Sequence, residues 1–210
     1  MNFEALKKHR CLVLIGKAGA GKDTVADMIY DMQQSPRPRA FKFSYPLKAA
    51  CQLIFGWSAE QLGEMAYKEE RLDKPLKRAD GTSIWTRREA LQYIGTDVFR
   101  AMDPEVWVTA ALRSANRQAN MFDCNGFICT DCRFPNELEA LRKHFADVLV
   151  VRLTKVGGAQ TTSSSHASET QIDALKHDTG YSLEAGDLAG LKFVAETLNE
   201  FFPKEESDGR

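Results

Sequence analysis

CLVLIGKAGAGKDTVADMIYDM, residues 11–32, sets the reading of the whole chain. Cys11 to Ile15 is a short, wholly apolar run, as a strand covered on both faces requires. Gly16-Lys17-Ala18-Gly19-Ala20-Gly21-Lys22 follows and matches G-x-x-x-x-G-K, a phosphate-binding loop. From Lys22 onward, Val25, Met28, Ile29 and Met32 fall at i, i+3, i+4 and i+7, which is one helical face. Strand, glycine-rich loop and helix are the setting in which this loop works. The glycines let successive backbone N–H groups turn toward phosphate oxygens, and the helix N-terminus adds positive potential there. Lys22 then reaches the β- and γ-phosphates as a point charge. The next position usually carries a Ser or Thr whose hydroxyl meets Mg²⁺. Here it holds Asp23, with Thr24 beyond, so both are candidate metal contacts.

Working outward, short apolar segments alternate with amphipathic ones. Ala40–Phe43, Gly126–Asp131, Asp147–Leu153 and Thr179–Glu184 read as further strands. Pro46 opens a helix with Leu47, Ala50, Cys51 and Ile54 inward. Arg87–Arg100 is a helix with Leu91, Ile94 and Val98 inward, and Asp103-Pro104-Glu105 starts the next. Pro135 begins a helix with Leu138, Leu141 and Phe145 on one face. A terminal helix after Asp187 carries Leu191, Val194, Ala195, Leu198 and Phe201. The pattern predicts an α/β protein: a parallel sheet flanked by helices in three layers, with ligands at the carboxyl ends of the strands. One domain over residues 1–210 is expected, with a charged insertion at 56–85 acting as a substrate flap and a lid-like loop at 154–169.

Composition narrows the function classes. Among 210 residues, 28 Lys and Arg balance 29 Asp and Glu, so no global field holds a nucleic-acid backbone or an anionic membrane. No stretch approaches the ~20 apolar residues of a membrane span. The five-residue apolar run after the N-terminal basic residues is too short for a secretory signal, so a cytoplasmic protein is expected. Its five cysteines, an odd number, then read as reduced core fillers. Cys124, Cys129 and Cys132 share part of an iron–sulfur spacing without a fourth cysteine after them. No histidine pair has metal-ligand spacing.

Two further clusters suit an acceptor. Asp131 ends an apolar strand, where such folds place a carboxylate for Mg²⁺, and Arg133 and Glu137 follow it closely. Arg88, Gln92, Thr96 and Arg100 are spaced four apart, a polar ladder along one helix side, with arginines suited to phosphate. Gly95 lies mid-helix at a cost of about 1 kcal/mol, as if a ligand or a backbone must come close. Trp107 reads equally as a nucleobase stack or a core side chain, and Arg87 as a solvated one. His166, Ser168 and Glu169 follow a Ser/Thr-rich loop.

Taken together, GKAGAGKDTVAD, YPLK, TRREALQYIGTDVFR, DPEVWV, TDCRFPNELEAL and HASE resemble the deoxynucleoside monophosphate kinases of bacteriophages, from Val13 to about Glu169. The resemblance implies ATP-dependent phosphoryl transfer to a deoxynucleoside 5′-monophosphate, with ATP and Mg²⁺ as cofactors. It implies Lys17, Gly19, Ala20, Gly21, Lys22, Asp23 and Thr24 at ATP. It implies Arg88, Gln92, Gly95, Thr96, Trp107, Asp131, Arg133 and Glu137 around the acceptor, with Lys22, Arg133 and Asp131 at the reacting groups. Chain order also resembles the wider nucleoside monophosphate kinases, in which Arg133 would grip the acceptor phosphate and Ala185–Gly186 would lie near adenine. Their lids usually carry arginines, whereas residues 154–168 hold only Lys155 as a cation of that kind. A kinase of another phosphorylated metabolite, such as dephospho-coenzyme A, fits the same loop. The exposed face of the insertion offers a surface for a homodimer, and no nucleic-acid or membrane partner is expected.

Overall fold

The computed structural model describes residues 2–157 and 171–203. Five parallel strands form the main sheet: β1 (Arg10–Ile15), β2 (Arg39–Phe41), β5 (Gly126–Cys129), β6 (Asp147–Val156) and β7 (Thr179–Glu184), in the order β2-β5-β1-β6-β7. The remaining two, β3 (Arg71–Lys77) and β4 (Ser83–Thr86), form a separate antiparallel hairpin. The centre of the sheet follows from composition, since Cys11–Ile15 and Gly126–Cys129 are buried at every position. Each expected strand of the parallel sheet is present. Some bounds differ: β2 and β5 each stop two residues short of the expected end, at Phe41 and Cys129, and β6 runs on to Val156, because Thr154, Lys155 and Val156 pair with Ser182, Leu183 and Glu184. The lid-like loop expected from residue 154 therefore begins as strand, and residues 158–169 of it lie outside the described residues.

The chain divides into two compact units, Met1–Lys42 with Leu112–Arg210, and Phe43–Ala111. The first unit holds the sheet with helices α1 (Lys22–Met32), α7 (Pro135–His144) and α8 (Leu188–Asn199). Leu12, Leu14, Val25, Ile29, Val151, Val194, Ala195 and Leu198 make one core between sheet, α1 and α8. Burying that many aliphatic side chains supplies the main drive to fold, at about 25 cal/mol per Å² of apolar surface.

The second unit contains α2 (Tyr45–Phe55), α3 (Ala59–Gly63), α4 (Met65–Glu69), the hairpin, α5 (Arg87–Gln92) and a π-helical continuation, Tyr93–Arg100. The division falls within α6 (Val106–Met121). A single domain with an insertion at 56–85 was the expectation. The separate unit is wider because α2 packs Leu47 against Gly95, which ties the flanking helices to the segment between them. The hairpin turns at Asp80–Gly81, where the Asp80 carboxylate accepts from the Thr82 N–H at 2.9 Å and Gly81 takes φ +84°. On α2 only Cys51 is buried and Ile54 is 65% exposed, so the inward face expected there is narrower than its periodicity implied. Likewise Leu91, Ile94 and Val98 are half-buried, and Arg87, Ala90 and Gly95 occupy the buried side of their helix. All five cysteines are free and buried, as core filling requires. Among the described residues no helix is long and apolar enough to cross a membrane.

Candidate active site

The phosphate loop joins β1 to α1. Gly21 is the N-cap of α1 at φ +86°, a left-handed conformation that glycine adopts without strain. A Cβ at Gly16 (φ +147°) would collide with the Leu153 carbonyl of β6, so the loop can leave the sheet this tightly only with glycine there. Lys22 Nζ donates to the carbonyls of Gly16 (2.8 Å) and Lys17 (2.9 Å). Its ammonium is thereby curled over the loop that carries it. Lys17 faces the Asp173 carboxylate at 3.7 Å. Ala20 donates its N–H to Lys17 O at 3.2 Å and its side chain is buried. Gly19 takes φ +76°.

Asp23, in the first turn of α1, has two partners that sequence reasoning missed. Its Oδ1 accepts from Lys42 Nζ at 2.9 Å and from Thr130 Oγ1 at 2.7 Å. Sheet register explains the meeting: Phe41 pairs with Cys129, so Lys42 and Thr130 emerge side by side from the carboxyl ends of β2 and β5. The one signal available in the sequence was a lone lysine between two phenylalanines, Phe41-Lys42-Phe43, at the end of a strand. Burial tends to raise the Asp23 carboxyl, but the hydrogen bonds from Lys42 and Thr130 and the charges of Lys42 and Lys22 outweigh it and hold it below its ordinary value. For Lys42, burial is likewise outweighed, by Asp23 first and then Asp131 and Cys129, so its ammonium is held above its ordinary value. Both groups are charged at neutral pH. Thr24 is exposed on the same turn of α1.

Asp131 and Arg133 follow β5 and are half-buried. Glu137 is among the residues expected around the acceptor. It is 1% exposed, and its Oε2 accepts the backbone N–H groups of Arg133 (2.7 Å) and Phe134 (3.1 Å). It caps the start of α7 and fixes the backbone of Arg133, which is a positioning role. Arg152 is also committed: Nη2 donates to the carbonyls of Ile172 (3.0 Å) and Leu175 (2.9 Å), and Nη1 lies 3.8 Å from Asp173. At the turn after β7, Gly186 takes φ +83° and Asp187 Oδ1 accepts from the Gly190 N–H at 2.8 Å, capping α8.

The polar ladder belongs to the second unit. Arg88, Gln92, Thr96 and Arg100 are all half-buried along α5 and its π-helical continuation. The wider π turn counteracts the drift that residues four apart show on an α-helix, so it keeps them closer to one line. Arg88 forms an ion pair with Glu69. Gly95 has a reason other than a ligand, because a Cβ there would stand 2.7 Å from Leu47 Cδ2. Trp107 is 7% exposed, packs on Phe99 and donates its indole N–H to the Gly95 carbonyl at 2.8 Å. It is a core side chain in this structure and holds the π segment in place. Arg87, expected to be solvated, is 9% exposed, donating to Tyr67 O and Glu70 Oε2 at 3.0 Å each. His166, Ser168 and Glu169 lie outside the described residues.

A polyphosphate fits the loop by charge and by its N–H supply at the head of α1. Mg²⁺ also fits. Both hydrogen bonds to Asp23 fall on Oδ1, and its side chain is exposed, while Asp131 and Thr24 offer further hard oxygen donors. Among the described residues no group of three or more His, Cys, Asp or Glu could hold a metal unaided.

No family model matches the chain. A deoxynucleoside-5′-monophosphate kinase of Escherichia phage T5 is 28% identical, over 77% of this chain and 84% of that protein. Among solved structures, an unliganded sugar kinase of Janibacter sp. HTCC2649 covers 90% of this chain and 93% of its own, at 17% identity and a TM-score of 0.45. The loop geometry and the phage relative together support a phosphotransferase. The resemblance drawn from the sequence holds: the chain is similar to the deoxynucleoside monophosphate kinases of bacteriophages.

Proposed function

We propose that the protein transfers the γ-phosphoryl group of ATP to a deoxynucleoside 5′-monophosphate, giving the diphosphate and ADP. The observation that carries the reading is the Gly16–Lys22 loop at the head of α1, with the Lys22 ammonium folded onto it and Asp23 beside it. The deoxynucleotide acceptor is supported by the phage relative.

An oxygen of the acceptor phosphate attacks the γ-phosphorus in line. The bond to the oxygen bridging β and γ breaks, and ADP leaves with that electron pair. No strong base is needed, because the attacking oxygen is already anionic near neutral pH. Lys22 and the loop N–H groups hold the β- and γ-phosphates and meet charge that moves onto the leaving oxygen. Mg²⁺, when bound, neutralises phosphate charge. Asp131 orients that ion or an acceptor hydroxyl. Arg133, its backbone fixed by Glu137, donates to the acceptor phosphate.

The test is ADP release with ATP and Mg²⁺ against each deoxynucleoside monophosphate separately, with dephospho-coenzyme A in the same panel. Turnover with at least one deoxynucleotide is expected, and Lys22→Ala should lower it by about a hundredfold or more. Release with dephospho-coenzyme A alone would transfer the reading to that rival. Unchanged turnover in Lys22→Ala would overturn the mechanism.

A further inference from the structure

The aspartate in the phosphate loop poses an electrostatic difficulty. Loops of this type usually carry a neutral hydroxyl after the lysine, where Asp23 puts a full negative charge next to bound polyphosphate. Such a charge repels the ligand unless something cancels it.

Lys42 is placed to do so. Its Nζ lies 2.9 Å from Asp23 Oδ1, and the Thr130 hydroxyl donates to the same oxygen at 2.7 Å. Both partners leave adjacent strands at the edge where ligands bind, because Phe41 and Cys129 are in register. The ion pair is solvent-accessible, with the side chains of Lys42 and Asp23 41% and 67% exposed. An exposed pair of this kind adds little to fold stability, so holding the sheet together is a poor reason for it. The two donors saturate one carboxylate oxygen and leave Oδ2 for another contact.

We infer that Lys42 is a positioning residue of the phosphate site: its ammonium cancels the Asp23 charge and fixes that carboxylate, making an aspartate tolerable beside a polyphosphate. The inference rests on the phosphate-site reading above and deepens it. The neutral Asp23–Lys42 pair stands in for the usual hydroxyl. Where a divalent ion accompanies the nucleotide, its charge covers part of the same repulsion. Lys42 therefore matters most for nucleotide without metal.

ADP binding to the purified full-length chain, measured by calorimetry in EDTA and again in saturating Mg²⁺, tests this. In EDTA, Lys42→Met should weaken binding by about tenfold. In Mg²⁺ most of that loss should disappear, a dependence that a merely structural role would not produce. The double variant Asp23→Asn with Lys42→Met should bind in EDTA within about twofold of the parent, since it removes both charges. A Lys42→Met protein that binds like the parent in EDTA overturns the inference, as does a double variant no better than the single. If Lys42→Met does not fold, Asp23→Asn alone decides. It leaves the lysine charge uncancelled and should tighten Mg²⁺-free ADP by about threefold or more, whereas unchanged or weaker binding refutes the idea. Failure of the parent to bind ADP at all would instead strike the phosphate-site reading itself.

Discussion

Gly95 offers a direct choice between packing and ligand binding. Its φ is not positive, so alanine is conformationally allowed there, and the question is space alone. An added Cβ would stand 2.7 Å from Leu47 Cδ2, well inside van der Waals contact. Overfilling a packed site of this kind costs about 1–3 kcal/mol. Alanine recovers about 1 kcal/mol through its better helix propensity. Gly95→Ala should therefore lose about 1 kcal/mol net, or roughly 2–4 °C in Tm for a chain of this size. The same change in a Leu47→Ala background meets no methyl group and should be neutral or stabilising, for a coupling of about 2 kcal/mol between the positions. Tryptophan fluorescence is the natural probe, because Trp57, Trp85 and Trp107 all lie in the Phe43–Ala111 unit and the chain has no other tryptophan. Equal destabilisation in both backgrounds would refute the packing explanation. So would a Gly95→Ala protein of unchanged stability whose acceptor KM rises tenfold, since the missing Cβ would then be space kept for a ligand.

Two other changes probe the first unit. Glu137→Ala should cost about 1–3 kcal/mol in thermal or urea unfolding, because it strips the acceptor from two backbone N–H groups at the start of α7. A variant that melts like the parent while its acceptor KM rises would place Glu137 at the acceptor site. His9, edge-on to Phe127, has its pKa lowered from 6.5 by burial and then by Lys8, against a smaller opposing pull from Asp123. A depressed folded-state value means its stabilising share is complete above pH 6.5 and is lost as pH falls through the lower value. Tm should drop on acidification below pH 6.5, less steeply in His9→Gln, and identical slopes would remove His9 from the cause.

The parallel sheet was legible because its central strands, β1 and β5, are short and apolar on both faces, and the strands alternate with helices that carry one apolar stripe, which leaves few topologies open. The β3–β4 hairpin was not. Arg71–Lys77 reads RLDKPLK, with Leu72 its only buried residue and Pro75 inside, so no period-2 signal rises above the surrounding charge. The two adjacent arginines show a different limit. Arg87 is buried against Tyr67 and Glu70, while its neighbour Arg88 is only half-buried and pairs with Glu69. Successive helical residues differ by about 100° in direction, so which arginine turns inward depends on helix phase. Here the phase follows the small buried side, Ala90 and Gly95, rather than Leu91, Ile94 and Val98, because Leu47 needs the hollow that Gly95 provides.

The phosphate loop was legible for the opposite reason: its chemistry is local, seven consecutive residues between one strand and one helix. Its electrostatic partner is not local. Lys42 is 19 residues from Asp23, and Thr130 is 107. Nothing in their spacing connects them until strand register sets Phe41 against Cys129. Lys42 itself stays solvent-accessible between two buried phenylalanines, so its burial alone does not call for a carboxylate beside it. The unusual residue in the loop and the isolated lysine are two halves of one electrostatic arrangement. An aspartate after the loop lysine should be accompanied by a cation from a neighbouring strand end wherever this variant of the loop folds the same way.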